Sequence, residues 1–142
     1  MNADFLDSNI FVYLFDEGAH EKRSIAEAIT RNAIEARAGC ISFQVVQETL
    51  NVLTRKLAVP VTTADAQGFL HKMLMPLWRV MPSQKLYSEA IALQRQLRLS
   101  LSFYDSLIVA AALEAGCKRL LTEDMRDGQR IEGLRIENPF KR

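Results

Sequence analysis

The sequence predicts an α/β fold of three layers, α/β/α, with a central, mostly parallel sheet of about five strands. Short apolar runs alternate with longer segments of helical periodicity, and helix caps and turn residues separate them. Strands that alternate with helices pair in parallel and need helices on both faces of the sheet. No repeat or linker rich in proline and glycine divides the chain, so residues 1–142 are expected to form one domain.

Five strands are predicted because each is a short apolar run bounded by turn or helix-capping residues. They lie at 3–6, 40–43, 77–81, 119–122 and 134–137. The last one is terminated by Asn138 and Pro139, since proline cannot donate to a sheet.

Six helical segments are predicted between these strands from apolar spacing and from their end signals. In the third, for example, Val46, Leu50 and Leu53 form one apolar stripe, and Gly116 stops the sixth. The segments lie at 10–15, at 21–37, at 43–56, from Thr62 or Thr63 to Pro76, onward from Pro82 and Ser83, and at 103–115.

The composition is typical of a globular chain in a reducing compartment. The apolar fraction is 49% and the longest apolar run, 107–113, is far too short for a membrane span. No basic segment with a cleavage site begins the chain. Cys40 and Cys117 lie beside glycines and apolar residues, so buried free thiols rather than a disulfide are expected, with a cytoplasmic location.

Four acidic residues that are distant in sequence occupy corresponding places in this pattern: Asp7, Glu48, Asp105 and Asp124. Each follows a predicted strand or lies on a helix beside one, and the carboxyl ends of parallel strands meet where ligands bind. Four carboxylates gathered there repel one another unless a cation lies between them. The pattern therefore predicts a metal-assisted reaction on an anionic substrate.

The first two acids also have purely structural explanations. Asp7, with Ser8 and Asn9 after it, has the residue types of a helix N-cap. Glu48 points about 180° away from the apolar stripe of its helix, toward either bulk water or a polar cleft.

The other two acids leave similar alternatives open. Asp105 stands three residues after Ser102, which fits a capping box, yet its helix is otherwise almost wholly apolar. Asp124 lies in a polar loop, where Thr122 is placed to orient a water or a carboxylate. Two nearby acids are alternatives to Asp124, namely Glu123 and Asp127.

The charge balance permits a nucleic-acid partner without demanding one. The chain has 18 basic and 17 acidic residues, a net charge of +1. If a metal holds the four acids, 13 acids face 18 bases and the remainder is about +5, which suits a phosphate backbone. His20 and His71 are expected at the surface, and no phosphate-binding glycine loop, serine-nucleophile or zinc-binding motif occurs.

Four segments together resemble PIN domains of the VapC type. They are Phe-Leu-Asp-Ser-Asn-Ile-Phe-Val-Tyr at 5–13, Ser-Phe-Tyr-Asp-Ser-Leu-Ile-Val-Ala-Ala-Ala at 102–112, Leu-Leu-Thr-Glu-Asp-Met at 120–125, and the ending at 128–140. The internal Glu48 also fits, so the resemblance covers essentially the whole chain and implies a PIN-like fold.

The resemblance implies a Mg²⁺- or Mn²⁺-dependent ribonuclease that leaves 5′-phosphate and 3′-hydroxyl ends, the toxin of a toxin–antitoxin pair. It assigns the metal and catalytic roles to Asp7, Glu48, Asp105 and Asp124, with Ser8, Asn9 and Thr122 in support. Ser8 replaces a frequent threonine of the family and keeps its hydroxyl. The resemblance also implies homodimers, an RNA substrate and a small antitoxin partner.

Two other functions remain open from the residues alone. One is a catalytically silent binding module that retains the acids for an interaction. The other is a phosphatase-type domain with Asp7 as nucleophile, which would want a second Asp two residues later, where this chain has Asn9.

Overall fold

A six-stranded sheet forms the centre of the molecule in the computed structural model, which describes residues 3–141. The strands are β1 (Asp4–Leu6), β2 (Gly39–Ser42), β3 (Trp78–Val80), β4 (Arg119–Leu121), β5 (Arg130–Ile131) and β6 (Leu134–Glu137). Their order is β3-β2-β1-β4-β6-β5, and every neighbouring pair is parallel except the antiparallel β5–β6 hairpin. Met1, Asn2 and Arg142, at the ends of the predicted domain, lie outside the described residues.

The helices connect the strands in the predicted order. They are α1 (Ser8–Val12), α2 (His20–Glu35), α3 (Phe43–Asn51), α4 (Thr63–Phe69), α5 (Met75–Leu77), α6 (Gln84–Gln96) and α7 (Phe103–Glu114). A 3₁₀ turn (Tyr13–Phe15) extends α1, and π-helical turns extend α3 (Val52–Lys56) and α4 (Leu70–Leu74). In the part of the chain that the structure describes, no helix has the length and apolar character needed to cross a bilayer.

The predicted three-layer α/β/α fold with a mostly parallel sheet is confirmed, and the five predicted strands are all present. The sixth strand, β5, was not predicted, because two residues are too few to show a pattern. It folds back on β6 through a tight turn in which Glu132 and Gly133 both have positive φ.

Two boundaries near prolines and caps differ from prediction. The first helix begins at Ser8 rather than at residue 10, because Asp7 already serves as its N-cap. Pro76 was predicted to close a helix, but it lies within the short α5, whose first positions need no backbone N–H. The third strand is accordingly shorter than predicted and begins at Trp78.

The core fills both faces of the sheet. All four residues of β2 are buried, and in α7 every residue from Ser106 to Ala112 is buried. A fully buried Phe5 or Ile41 contributes roughly 2 kcal/mol through the apolar area removed from water. Cys40 and Cys117 are free and buried, as predicted.

The strand order reverses between β1 and β4. From β1 the chain passes outward to β2 and β3 on one side, and it later returns to β4 on the other side of β1. In open α/β sheets the crevice at the carboxyl ends of the strands beside such a reversal is the usual ligand site. Asp7 directly follows β1 at this point, and Thr122 directly follows β4.

Candidate active site

Asp7 lies at this reversal, and we call the region at the carboxyl ends of β1 and β4 the crevice. The backbone N–H of Asp7 donates to the carbonyl of Leu121 at 3.0 Å, which ties the end of β1 to the end of β4. The side chain is 4% exposed and accepts two hydrogen bonds, from the Ser8 N–H at 2.7 Å and from the Thr122 hydroxyl at 2.7 Å. The helix-cap explanation is therefore correct for Oδ1, which accepts from the Ser8 N–H. It does not account for Oδ2, which accepts from Thr122.

Thr122 determines the direction of the bond to Asp7. Its hydroxyl is buried and accepts from the Asp124 N–H at 3.0 Å and from the Asn9 amide at 3.3 Å. Both lone pairs of the hydroxyl are thus in use, and its proton goes to Asp7. Since an ionised carboxylate only accepts, this arrangement favours the charged form of Asp7.

Asn9 connects α1 to the loop that follows β4. Its Nδ2 donates to Asp124 Oδ2 at 3.1 Å, and its Oδ1 accepts from the Glu123 N–H at 3.4 Å. Asp124 itself is exposed to solvent at the mouth of the crevice. The side chain of Asn9 therefore sets the position of both the loop and its carboxylate.

Glu48 faces this crevice rather than bulk water. Helix α3 packs beside α1, and Glu48 Oε1 accepts from the Ser8 hydroxyl at 3.4 Å. Glu48 is half-buried, and burial raises its pKa, while the side chain of Gln44, one turn earlier on the same face, opposes that rise. Gln44 is held in turn by donating from Nε2 to the carbonyl of Tyr104 at 3.0 Å.

Asp105 approaches from the first turn of α7. Its N–H donates to the Ser102 hydroxyl at 3.0 Å, so the capping interaction considered from the sequence is present. Its half-buried carboxylate at the same time lies within electrostatic reach of Glu48 and Asp124. The capping contact of Asp105 is thus compatible with a place beside the other acids.

Burial and neighbouring negative charges raise the pKa of three of these carboxyl groups, namely Asp7, Glu48 and Asp105. Burial raises the pKa of Asp7 to about 7, and the charges of Glu48 and Asp124 add to the shift, while the bonds from Thr122 and Ser8 oppose it. Burial also raises the pKa of Glu48, assisted by Asp105 and Asp124. Burial and Asp124 raise the pKa of Asp105. Repulsion between the four acids shows that they share one crevice.

Within residues 3–141, no three acidic, histidine or cysteine side chains are arranged as a group that could hold a metal ion. The hydrogen bonds give the physical reason. Asp7 Oδ2 is turned to Thr122 and Asp124 Oδ2 is turned to Asn9, so the acids point to neutral donors instead of to a common centre.

The two alternative acids of the loop are engaged elsewhere. Glu123 contacts Lys22 Nζ at 2.6 Å and the Tyr13 hydroxyl at 2.5 Å; burial alone would raise the pKa of Glu123, but these two bonds lower it. Asp127 accepts from the Asn138 N–H at 2.9 Å and lies 3.9 Å from Lys141. Of the three acids considered for the fourth position, Asp124 is the one with a bond into the crevice.

Sequence reasoning missed Gln44, Tyr13 and Lys22. Gln44 gave a usable signal, since it precedes Glu48 by four residues and so shares its helix face. Tyr13 and Lys22 gave none, because their contact with Glu123 joins residues about a hundred positions apart. His20 and His71 are exposed, in agreement with the prediction.

The model of one protein family, the PIN domain, matches residues 5–132. This chain therefore belongs to the PIN domain family. No protein sequence with a curated description matches it.

Solved structures share the fold over nearly the full chain. A DNA-bound VapBC complex from Salmonella typhimurium superposes with a TM-score of 0.66 at 20% identity, covering 98% of this chain and 99% of that chain. A toxin–antitoxin complex from Klebsiella pneumoniae gives 0.64 at 21% identity, covering 96% and 98%. VapC20 from Mycobacterium tuberculosis, a toxin that cleaves the sarcin–ricin loop, gives 0.62 at 21% identity, covering 83% and 87%.

Proposed function

We propose that this protein is a metal-dependent endoribonuclease that hydrolyses RNA phosphodiester bonds and is the toxin of a toxin–antitoxin pair. The observation that carries the proposal is the convergence of Asp7, Glu48, Asp105 and Asp124 at the reversal point of the sheet. Burial and the charges of neighbouring acids raise the pKa of Asp7, Glu48 and Asp105 there, and none of the salt bridges among residues 3–141 includes any of the four acids. A crevice with such an excess of negative charge suits a cation and an anionic substrate together.

The donor set fits Mg²⁺ or Mn²⁺ by its chemistry. All four side chains offer only carboxylate oxygens, the ligands that hard divalent cations prefer, and none of the four is a thiol or an imidazole that would favour zinc. Asp7 and Asp105 would be the direct ligands, with Glu48 and Asp124 bound directly or through water. When bound, the cation would polarise the phosphodiester and make a water molecule a stronger nucleophile.

The chain's own residues prepare this site. Thr122 and the Ser8 N–H hold Asp7 with both oxygens oriented and favour its ionised form. Ser8 and Gln44 orient Glu48, and Asn9 orients Asp124. Side chains held in this way lose little freedom when a ligand binds, which is the main contribution that a protein makes to such a centre.

The partners in this proposal are RNA, a small cognate antitoxin and a second copy of the chain. Support for the antitoxin comes from the structural neighbours, several of which are toxin–antitoxin complexes. Support for RNA as substrate comes from VapC20, a toxin that cleaves the sarcin–ricin loop. The homodimer follows from the sequence resemblance to VapC-type PIN domains.

The test is cleavage of RNA by the purified protein without antitoxin. We expect cleavage with Mg²⁺ or Mn²⁺, none with EDTA, and loss of roughly 100-fold or more in Asp7→Asn and Asp105→Asn. Asp65→Asn is the matched control, because Asp65 is an exposed acid in the first turn of α4 whose described hydrogen bond goes to Thr62 and not to any of the four acids. Equal activity of wild type and both site variants would refute the assignment.

One observation favours a second function, that of a catalytically silent binding module. In the described part of the chain the acids do not form a ready-made metal group, as noted above. If the wild-type protein fails to cleave RNA with either metal, yet binds an antitoxin-like partner through the crevice, this second function replaces the first. A phosphatase with Asp7 as nucleophile is disfavoured, because this chain has Asn9 where such a domain would want a second Asp.

A further inference from the structure

A three-residue cluster outside the crevice holds the loop that carries Asp124. Glu123 contacts Lys22 Nζ at 2.6 Å and the Tyr13 hydroxyl at 2.5 Å, and Lys22 also donates to the Tyr13 hydroxyl at 3.1 Å. The three residues come from α2, from the 3₁₀ turn and from the loop after β4, so the cluster joins three elements. We call Tyr13, Lys22 and Glu123 the clamp.

The clamp has an apolar base that fixes its geometry. The Tyr13 ring packs edge-on against the ring of Phe140 at a centroid distance of 4.8 Å. The ammonium of Lys22 lies 5.0 Å from the Tyr13 ring centroid and 6.0 Å from that of Phe140, within the range of cation–π attraction. Lys22 is therefore held by two rings, a hydroxyl and a carboxylate, which is more than an isolated surface ion pair offers.

Successive residues of the loop point to different partners. Thr122 is buried and bonds to Asp7, Glu123 turns to the clamp, and Asp124 bonds to Asn9 at the crevice. The backbone N–H of Glu123 also donates to Asn9, and that of Asp124 to Thr122. The loop is thus fastened on one side by Asn9 and on the other by the clamp.

We infer that the clamp is a positioning device, with Lys22 and Tyr13 holding Glu123 out of the metal site so that Asp124 is the carboxylate presented to it. The inference rests on the proposed metal-dependent function. Two adjacent acids with side chains of similar chemistry would otherwise compete for one cation. Lys22 neutralises Glu123 and Tyr13 fixes its direction, which leaves only Asp124 facing the crevice.

The experiment uses the full-length chain and measures Mn²⁺ binding from the electron paramagnetic resonance signal of free Mn²⁺. The clamp is broken by Lys22→Met, Glu123→Gln and the double variant, and Lys22→Arg is the conservative replacement that can still bind a carboxylate. Arg23→Met is the matched control, because Arg23 neighbours Lys22 on α2 but pairs with the exposed Glu27. Hydrogen exchange of the Glu123 and Asp124 amides is followed in the same proteins.

We expect each clamp-breaking variant to weaken Mn²⁺ binding roughly three- to tenfold, less than the roughly 10- to 100-fold found when a direct partner of a metal ligand is removed, because the clamp acts on Asp124 through the loop. The double variant should be no weaker than either single variant, because all three break the same contact. Exchange of the two loop amides should accelerate in these variants. Lys22→Arg and Arg23→Met should behave as wild type in both measurements.

Three results would overturn the inference. Unchanged Mn²⁺ binding and amide exchange in the clamp variants would show a merely structural surface cluster. A far larger loss in Glu123→Gln than in Lys22→Met would show that Glu123 is itself the ligand. A wild-type protein that binds no Mn²⁺ would refute the proposed function along with the clamp, whereas the first two results leave the proposed function intact.

Discussion

The carboxylates at the two ends of β1 have opposite kinds of partner, a cationic one for Asp4 and neutral ones for Asp7. At the first residue of the strand, Asp4 receives two hydrogen bonds from the guanidinium of Arg119, at 2.9 Å from Nε and 2.5 Å from Nη2. Arg119 also pairs with Glu137 at 2.8 Å, and Arg135 pairs with Glu137 as well. Directly after the strand, Asp7 has only neutral donors, the Ser8 N–H and the Thr122 hydroxyl.

The two acids also differ in burial, and the more buried one is the one without a cationic partner. The side chain of Asp4 is 23% exposed, whereas Asp7 is only 4% exposed and should need a counter-charge more. A buried carboxylate without a cationic partner is costly, and the rise in the pKa of Asp7 to about 7 expresses that cost. The chain neutralises the acid whose role is structural and leaves uncompensated the one that we propose binds a cation.

The largest expected effect comes from exchanging each acid for its amide. Asp7→Asn should lower RNA cleavage roughly 100-fold or more, while its free energy of unfolding without metal changes by no more than about 2 kcal/mol. Removing the buried charge stabilises the fold, but the new amide N–H₂ must face one of two existing donors, and these effects offset each other. Parallel cleavage assays and urea unfolding measure both quantities.

Asp4→Asn should lower the stability of the fold and leave RNA cleavage nearly unchanged. It loses a bidentate pair with a half-exposed arginine, so a destabilisation of about 1 kcal/mol is expected, with cleavage within twofold to threefold of wild type. If Asp4→Asn abolished cleavage while Asp7→Asn left it intact, Asp4 would be the functional acid and Asp7 the structural one.

The second effect is a dependence of stability on pH. Burial raises the pKa of Asp7 in the folded state from its ordinary value of 3.8 to about 7. Between these values the folded protein binds the extra proton, so the free energy of unfolding should fall as pH rises from 5 to 8 in EDTA. The change is on the order of 2–4 kcal/mol at about 1.4 kcal/mol per pKa unit. Glu48 and Asp105 act with the same sign.

Two controls isolate the source of this slope. Asp7→Asn should remove most of it, and Mn²⁺ should stabilise wild type more at pH 8 than at pH 5, because a cation binds the ionised carboxylate. Glu123, whose pKa is lowered, contributes with the opposite sign and only at more acidic pH. An equal slope in wild type and Asp7→Asn would place the titrating group elsewhere.

Sequence alone predicted the fold well, because a chain of alternating strands and helices has few possible topologies. Few of those topologies keep Asp7 and Asp105 far apart. Periodicity also placed Glu48 on a polar helix face. It could not decide between water and a crevice, since that depends on α1 packing beside α3. The missed β5 and the unpredicted contacts of Lys22 have the same cause: a two-residue strand and a side-chain contact between distant residues leave no local pattern.

The fourth acid shows most clearly where sequence reasoning ends, and it yields the smallest expected effects. Spacing allowed Asp124, Glu123 or Asp127, but Asp124 bonds to Asn9 at 3.1 Å while Asp127 receives the Asn138 N–H at 2.9 Å. Asp124→Asn should therefore lower cleavage and Mn²⁺ affinity roughly tenfold, whereas Asp127→Asn should keep both within twofold and lower the melting temperature slightly. Asp127 resembles Asp4, since the chain already supplies its partners, Asn138 and Lys141. A tenfold loss of cleavage and Mn²⁺ affinity in Asp127→Asn, with normal stability, would make Asp127 the functional acid. Asp127 would then no longer resemble Asp4.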